Sequence, residues 1–330
     1  AGMVVVGGLT RLTGSGLSIT QWQPVSGAIP PMNAHDWAVE FTHYKQIPQY
    51  RLENAGMTLE QFKGIFWWEW GHRLLGRLIG FVFLIPFLYF VWRGAIGRRD
   101  IPRMVLLFAL GGLQGFIGWW MVESGLETRV SVSQYRLAIH LGVALILFVA
   151  ILWTAFEYLR PKLSTATTSP LAKWAKGLAA LVYVQMLLGA LVAGLHAGLI
   201  YNTWPSMDGR VLPESPFFSA PWWINFFENA GLAQFDHRIG AYIVGLGALA
   251  LWMAGRRAKI SGMAQVSGNA VIAVTALQVA LGITTLLLQA PVALSALHQF
   301  TALALLSVVL WHAYELAGAS KGVVHAAASA

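Results

Sequence analysis

Four histidines are the residues of this chain whose type and position best suit chemistry. His72, His140, His237 and His298 each lie a few residues inside the same end of a long apolar segment, two in each half of the chain. An imidazole at membrane depth is costly unless it faces the interior of a helix bundle and has a partner there. Four imidazoles at one depth therefore indicate ligands for something bound between helices.

The composition places these segments in a lipid bilayer. Hydrophobic residues make up 57% of the 330 residues and charged residues only 11%, which predicts an integral membrane protein. The chain has no cysteine, so disulfides, thiolate metal sites and covalent c-type haem attachment are excluded. The net charge of +8 is spread over short loops without a basic groove, and we expect no nucleic-acid partner.

Seven apolar segments are long enough to cross about 30 Å of hydrocarbon. We expect an eighth, truncated helix at the start, where Ala1–Leu9 is apolar but too short to cross. Two long loops, about 11–66 and 200–234, carry acidic residues and tryptophans. The seven predicted spans are near 72–92, 104–122, 137–159, 174–199, 235–254, 263–289 and 293–316.

Basic residues fill the short loops on the side opposite to these long loops. By the positive-inside rule the short loops face the cytoplasm or its equivalent, so the four histidines are expected towards the outer face. The basic residues are Arg93, Arg98, Arg99, Arg103, Arg160, Lys162, Lys173, Lys176, Arg256, Arg257 and Lys259.

An internal repeat relates the two halves of the chain. Gly7–Pro31 aligns without gaps on Gly189–Pro213. Farther along, His72-Arg73 recurs as His237-Arg238. A second pattern, Gln-x-x-x-Gly, occurs three times, at Gln114 to Gly118, Gln185 to Gly189 and Gln278 to Gly282.

The repeat predicts the architecture. Because each half contains an even number of spans, both halves enter the membrane in the same sense. The expected fold is an all-α integral membrane protein with eight transmembrane helices. They form two tandem four-helix bundles, 1–160 and 161–330, related by a pseudo-two-fold axis along the membrane normal.

Haem is the ligand that this arrangement favours. Histidines at equal depth on two helices of one bundle can face each other across its core, as in b-type haem sites. The repeat predicts the pairs His72 with His140 and His237 with His298. A lone histidine could instead be a core residue bonded to a carbonyl, but four at equivalent positions favour ligation. His312, near the opposite end of the last helix, is expected to be solvated or to reach the interface.

One carboxylate distinguishes the two halves. Glu69 lies three residues before His72, whereas Gln234 has the matching place before His237. Residues three apart share a helix face, so Glu69 is expected to point at the same site as His72. It is either a catalytic group that takes a proton from a reacting molecule or a carboxylate at a helix start or membrane interface.

Three arginines are candidates for binding the propionates of haem. Arg73 and Arg238 directly follow a histidine of the repeat, and Arg77 lies one turn beyond Arg73. A guanidinium group binds a carboxylate through a bidentate fork. The alternative is that these side chains extend to the outer membrane interface.

Together these motifs resemble the haem A synthase family. The resemblance covers nearly the whole chain, and the lack of cysteine is similar to the class found in proteobacteria and mitochondria. It rests on the segments GGLTRLTGSGLS (7–18), EWGHRLLGR (69–77), YRLAIH (135–140), NTWPSMDG (202–209) and DHR (236–238).

The resemblance implies an activity and a set of ligands. The family oxidises the C8 methyl group of haem O to a formyl group, which gives the haem A of cytochrome oxidases. It implies Glu69 as the catalytic residue, haem O as substrate on His72 and His140, and haem b on His237 and His298.

The resemblance also implies partners and a location. The partners are the haem O-producing farnesyltransferase, an electron acceptor that the sequence does not identify, and the lipid bilayer, and a homo-oligomer is also considered. The location is the bacterial inner (plasma) membrane with the haem sites towards the periplasmic side, or the mitochondrial inner membrane in a eukaryote.

Two other functions fit part of the pattern. A dihaem b-type electron carrier or quinone oxidoreductase subunit would use the same four histidines, but it gives no reason for Glu69. A transporter would explain the repeat, but discontinuous helices near the middle of the membrane are not evident and the histidines lie off-centre.

Overall fold

The computed structural model describes residues 1–160 and 170–318, and Lys162 lies outside them. Within these ranges the regular structure is helical, apart from an isolated bridge between Met207 and Arg210. The α-helices are α1 (Gly2–Leu12), α2 (Ala34–Tyr44), α3 (Pro48–Leu52), α4 (Leu59–Trp92), α5 (Ile101–Glu123), α6 (Gln134–Leu159), α7 (Pro170–Gly194), α8 (Asn225–Glu228), α9 (Ala230–Arg257), α10 (Gly262–Leu287) and α11 (Val292–Gly318). Short 3₁₀ helices lie at Ser26–Ala28, Ala197–Leu199 and Trp222–Ile224.

Seven of these helices are long and apolar enough to cross a membrane, namely α4, α5, α6, α7, α9, α10 and α11. Their positions match the seven predicted spans, and the prediction of an all-α membrane protein is confirmed. Helix α1 has 11 residues. The eight-helix count and the pseudo-two-fold axis stay predictions.

Helix α4 starts earlier than its hydrophobic pattern suggests. It has 34 residues and, at about 1.5 Å per residue, exceeds the hydrocarbon thickness of about 30 Å. A capping box fixes its start, because the Thr58 side chain accepts from the Gln61 N–H and the Gln61 side chain accepts from the Thr58 N–H. The predicted loop, about 11–66, is therefore wrong at its end, because residues 59–66 belong to α4.

The first turns of α4 belong to a packed cluster outside the apolar span. Phe62 and Phe66 of α4 pack with Phe41 and Tyr44 of α2. The Tyr44 hydroxyl accepts from Asn54 at 2.7 Å, and burial raises the pKa of this phenol. The segment between α1 and α4 therefore folds into a small extramembrane layer. This layer packs against the first turns of α4 and holds them in place.

The chain forms two compact units, residues 1–147 and 148–330. In the second unit α7 and α10 each pack against both α9 and α11, which makes a closed four-helix bundle. Small side chains such as Ala172, Ala175 and Ala179 are buried along α7 and let its neighbours approach closely.

The first unit is centred on α4. This helix packs against α1, α2 and α5. Its buried residues are Phe62, Phe66 and Glu69, all in its first three turns. The first unit therefore packs most closely where α4 meets the extramembrane layer.

Candidate functional site

The second unit brings His237 of α9 and His298 of α11 face to face. Their ring centroids are 6.5 Å apart, and the ring planes are inclined at 82°. A metal bonded to one nitrogen of each ring at about 2 Å, with each ring centre about 1 Å behind its nitrogen, puts the centres about 6 Å apart. This pair therefore has the spacing that a bis-imidazole metal site needs.

All four predicted ligand histidines pack against a glycine of another helix. A Cβ atom built on these glycines would lie 2.9 to 3.1 Å from the imidazole ring, so a side chain there would push the ring away. The pairs are Gly7 with His72, Gly118 with His140, Gly189 with His237 and Gly282 with His298. In the first unit, His72 lies close enough to His140 for a charge on one ring to act on the other.

The Gln-x-x-x-Gly pattern contributes both residues to these contacts. Each glutamine places its amide nitrogen next to an imidazole. The Nε2 to Nδ1 distances are 3.0 Å for Gln114 and His140, 3.0 Å for Gln185 and His237, and 3.2 Å for Gln278 and His298. The sequence shows that the pattern recurs, and the structure shows that each copy lies on the helix surface against which one of the predicted ligand histidines packs.

Glu69 is buried, with 2% of its surface exposed, and it accepts four hydrogen bonds. Its Oε2 accepts from the Ser18 hydroxyl and the Ile19 N–H, both at 2.8 Å. Its Oε1 accepts from Nε and Nη2 of Arg73, at 3.1 and 2.6 Å. These donors fill the lone-pair positions of the carboxylate, and Glu69 and Arg73 form an ion pair.

Gln234 is equally buried but donates where Glu69 accepts. Its Nε2 donates to the carbonyls of Ala197 at 2.8 Å and Tyr201 at 3.2 Å. Its Oε1 accepts from Arg238 at 3.2 Å. A carboxylate at this position would face two carbonyl oxygens, which is unfavourable. Glu69 therefore matches the hydrogen-bond donors of the loop that packs against it, and Gln234 matches the carbonyl acceptors of its own loop.

The three candidate arginines hold extramembrane loops against the helices. The carbonyls that accept are Ile19 and Gln21 for Arg73, Gln23 and Pro24 for Arg77, and Tyr201 and Ser206 for Arg238. Two nitrogens, Arg77 Nη1 and Arg238 Nε, are buried without a partner in the described part of the chain. These N–H groups can bind a carboxylate.

A pocket of about 450 Å³ opens beside α4 in the first unit. Arg73, Arg77 and Trp70 line it from α4, and Asp36 and Glu40 line it from α2. Trp70 Nε1 is also buried and finds no acceptor among the described residues. Two unpaired donors, one of them charged, can bind a carboxylate such as a haem propionate. Neither His72 nor His140 is among the described residues that line this pocket.

Glu40 is a half-buried acid that lines this pocket. Burial raises the pKa of its carboxyl group, and the neighbouring His43 and Arg73 oppose that rise. The Oε2 atom has no hydrogen-bond partner within residues 1–160 and 170–318. Glu40 therefore keeps its proton to a higher pH than an ordinary glutamate does.

The structure corrects the expectation for His312. This residue is buried, with 1% of its surface exposed, and is not solvated. Its Nδ1 lies 2.9 Å from the Ser267 hydroxyl, and its ring packs against Gly268. The adjacent pair Ser267-Gly268 in an apolar segment was the available signal, because a hydroxyl and a missing side chain can together accommodate an imidazole.

Comparison with known proteins identifies the family. The model of the cytochrome oxidase assembly protein family, COX15-CtaA, matches residues 1–310. The heme A synthase of Parvibaculum lavamentivorans is 50% identical over 315 residues, which cover 96% of this chain and 90% of that protein. The heme A synthase of Bradyrhizobium diazoefficiens is 50% identical over 318 residues, which cover 96% of this chain and 88% of that protein. The resemblance found in the motifs is confirmed, and the chain belongs to the cytochrome oxidase assembly protein family.

Proposed function

We propose that this chain is a haem A synthase, an enzyme that oxidises the C8 methyl group of haem O to the formyl group of haem A for cytochrome oxidase. The observation that carries the proposal is the presence of a carboxylate, Glu69, beside only one of two equivalent histidine sites. Relatives that share half of their residues with this chain bear the name heme A synthase, which supports the proposal.

His237 and His298 are proposed to hold haem b. Their ring spacing of 6.5 Å suits two axial imidazoles, and Arg238 Nε, which has no partner among the described residues, can donate to a propionate. Haem b bound there would supply one-electron transfer, with a potential set by its ligands, their hydrogen bonds and burial.

His72 and His140 are proposed to hold the substrate, haem O. The pocket beside α4 offers Arg77 Nη1 and Trp70 Nε1 as donors for a propionate. Arg73 adds positive charge at the same wall of the pocket while it pairs with Glu69. These contacts would fix the porphyrin edge relative to the Glu69 carboxylate.

Glu69 is proposed to accept protons from the reaction. Oxidation of the methyl group to an alcohol and then to an aldehyde, with water as the source of oxygen, removes two electrons and two protons in each step, so a nearby base is needed. Glu69 can accept a proton only after one of its four hydrogen bonds breaks. The Ser18 hydroxyl is neutral and turns about a single bond, whereas Arg73 is charged and the Ile19 N–H is fixed in the backbone. The hydrogen bond from the Ser18 hydroxyl therefore breaks most easily.

The proposal includes partners and a location. Haem O comes from the farnesyltransferase that makes it, and the electrons leave through an acceptor yet to be identified. The expected location is the bacterial inner membrane, with the haem sites towards the periplasm. A reporter fused after Arg99 should then read cytoplasmic and one after Pro213 external; the reverse pattern would overturn this orientation.

Analysis of the bound pigments tests the function. The protein purified from cells that make haem O should contain haem B together with haem O or haem A. A preparation that contains haem B alone would identify a dihaem electron carrier. A fully folded preparation without haem would remove the proposal altogether.

A further inference from the structure

His312 is an imidazole buried inside the second unit, and no step of the proposed function uses it. It lies on α11 with 1% of its surface exposed. Its Nδ1 is 2.9 Å from the Ser267 hydroxyl of α10, and its ring donates a hydrogen bond to the Ala264 carbonyl. A polar side chain at membrane depth is costly and marks a functional position by default. The burial of His312 therefore indicates a role in this unit.

His312 packs on α10 in the same way as His298, a proposed haem ligand. A Cβ built on Gly268 would lie 3.2 Å from Cε1 of His312, and one built on Gly282 would lie 2.9 Å from Cε1 of His298. Gly268 and Gly282 are 14 residues apart on α10, as are His298 and His312 on α11. Because α10 and α11 are consecutive helices that pack against each other, a single register of this hairpin forms both contacts.

Both imidazole rings also hydrogen-bond to the backbone of α10. The His298 ring donates to the Gln278 carbonyl, and the His312 ring donates to the Ala264 carbonyl. Each carbonyl belongs to the residue four positions before the glycine that the ring contacts. In an α-helix the carbonyl of residue i bonds to the N–H of residue i+4, so a glycine at i+4 leaves that carbonyl open to an imidazole. The same pair of contacts is therefore made at two depths of the bundle.

Apolar side chains alone specify the rotation of α11 weakly. Leu303 and Leu306 are buried, whereas Leu297 is exposed on the same helix. In lipid there is no hydrophobic driving force between helices, and a rotated α11 would bury other leucines in place of these. The best-attested use of a buried polar residue is to fix the register of packed helices. His312 is such a residue on α11.

We propose that His312 is a positioning residue that fixes the register and rotation of α11 and thereby holds His298 towards His237. The proposal rests on the haem b ligation proposed above. Fourteen residues of an α-helix span about 21 Å and make nearly four full turns, so His298 and His312 lie on nearly the same face. Because a continuous helix turns as one body, a contact that limits rotation at His312 also limits it at His298.

Replacement of His312 by leucine tests the proposal. In His312→Leu the Ser267 hydroxyl keeps its hydrogen bond to the Ala264 carbonyl, so no buried hydroxyl loses its acceptor and the protein should still insert. The EPR spectrum of a bis-imidazole haem depends on the angle between the two rings, 82° here. A second low-spin component should appear, because one hydrogen bond changes the ratio of two orientations by about 2- to 10-fold. An unchanged spectrum in the folded variant would overturn the proposal.

Two further variants separate positioning from general stability. The amide of His312→Asn can still donate to the Ala264 carbonyl, so its spectrum should lie closer to that of the wild type than the spectrum of the leucine variant does. Glu315→Gln alters an ion pair with the half-exposed Arg160 one turn farther along α11, and exposed pairs contribute little, so its spectrum should be unchanged. Equal spectra of the leucine and asparagine variants, or the same second component in Glu315→Gln, would contradict the role of His312.

A fourth variant covers the case in which His312→Leu does not fold. Gly268→Ala keeps His312 and adds a methyl group 3.2 Å from its ring. At this distance the imidazole has to shift, because protein interiors are closely packed. The second low-spin component should therefore appear here as well, and its absence from a folded Gly268→Ala protein would count against the proposal.

Spin labels measure the register of α11 without haem. The chain has no cysteine, so Leu277→Cys on α10 and Leu297→Cys on α11, both at exposed positions, give two specific labelling sites. In the haem-free protein the distribution of distances between the labels should be broader with His312→Leu than with His312. If the wild type lacks a low-spin spectrum, haem ligation fails, and the label distances still test His312. If the spectrum is present but neither it nor the label distances respond to His312→Leu, only the role of His312 fails.

Discussion

The two units place the same framework of histidine and glycine in different surroundings. In the second unit α7 buries nine residues along its length, and both histidines contact a glutamine. In the first unit α4 buries three residues, all at or before Glu69, and a pocket opens beside it. The duplicated positions supply the predicted ligands, and the packing around them differs between the two units.

The largest expected effect is the loss of an axial ligand in the second unit. His237→Ala or His298→Ala should abolish the low-spin b-type haem spectrum while the protein still inserts in the membrane, because helix packing in lipid does not depend on one imidazole. Optical and EPR spectra of the purified variants measure this. An unchanged bis-histidine spectrum in either variant would show that the pair does not bind haem.

The next effect concerns the carboxylate that only the first unit has. Glu69→Gln should lower the rate of haem A formation by about 10²- to 10⁴-fold, and haem O or its alcohol should accumulate on a protein that keeps its bound haem. Chromatography of extracted haems measures the products. Glu60→Gln is the control, since Glu60 is an exposed carboxylate on the same helix. Near-normal haem A from the Glu69 variant would move the catalytic role elsewhere.

A smaller effect is expected at the glycines that contact the imidazoles. Gly189→Ala places a Cβ 3.1 Å from the His237 ring, and overpacking of this kind typically costs about 1–3 kcal/mol. Haem b occupancy after purification should fall. Gly177→Ala, on the same helix with no atom within 4 Å of the added Cβ, should leave occupancy unchanged. Equal occupancy in the two variants would mean that the imidazole position is not set by this contact.

The smallest effect concerns pH and the pocket beside α4 in the first unit. Because burial raises the pKa of Glu40, the folded segment binds a proton that the unfolded segment has lost, over the range between the two pKa values. Its stability is therefore greatest below the ordinary pKa of glutamate and falls as the pH rises through the raised value. Glu40→Gln should remove this slope in hydrogen exchange of the α2 amides. If the variant and the wild type show the same pH dependence of stability, a group other than Glu40 causes it.

The spans were predictable from the sequence because a membrane segment must be almost wholly apolar. The run near 104–122 is apolar apart from Gln114, and the helix Ile101–Glu123 contains it. The start of α4 was not predicted, because Leu59 to Phe66 pack against aromatic residues of α2 and α3 and not against lipid. Helices α2 and α3 were missed for the same reason.

The candidate site was predictable where the repeat duplicates a residue and less so where a contact decides its role. The four histidines and Glu69 stood out as matched or mismatched positions. That Glu69 is tied to Ser18 and Ile19 depends on how the loop after α1 folds back.

The buried pair of Glu69 and Arg73 also bears on how α4 enters the bilayer during synthesis. A single carboxylate or guanidinium opposes insertion of an apolar segment by about 2.5–3.5 kcal/mol at its centre and by less near its end, where Glu69 and Arg73 lie. Because these residues are four apart on one helix, the two charges can neutralise each other as soon as that turn forms. A variant that removes one charge leaves the other uncompensated during biogenesis, and the yield of inserted protein becomes a measure of the pair that does not involve haem.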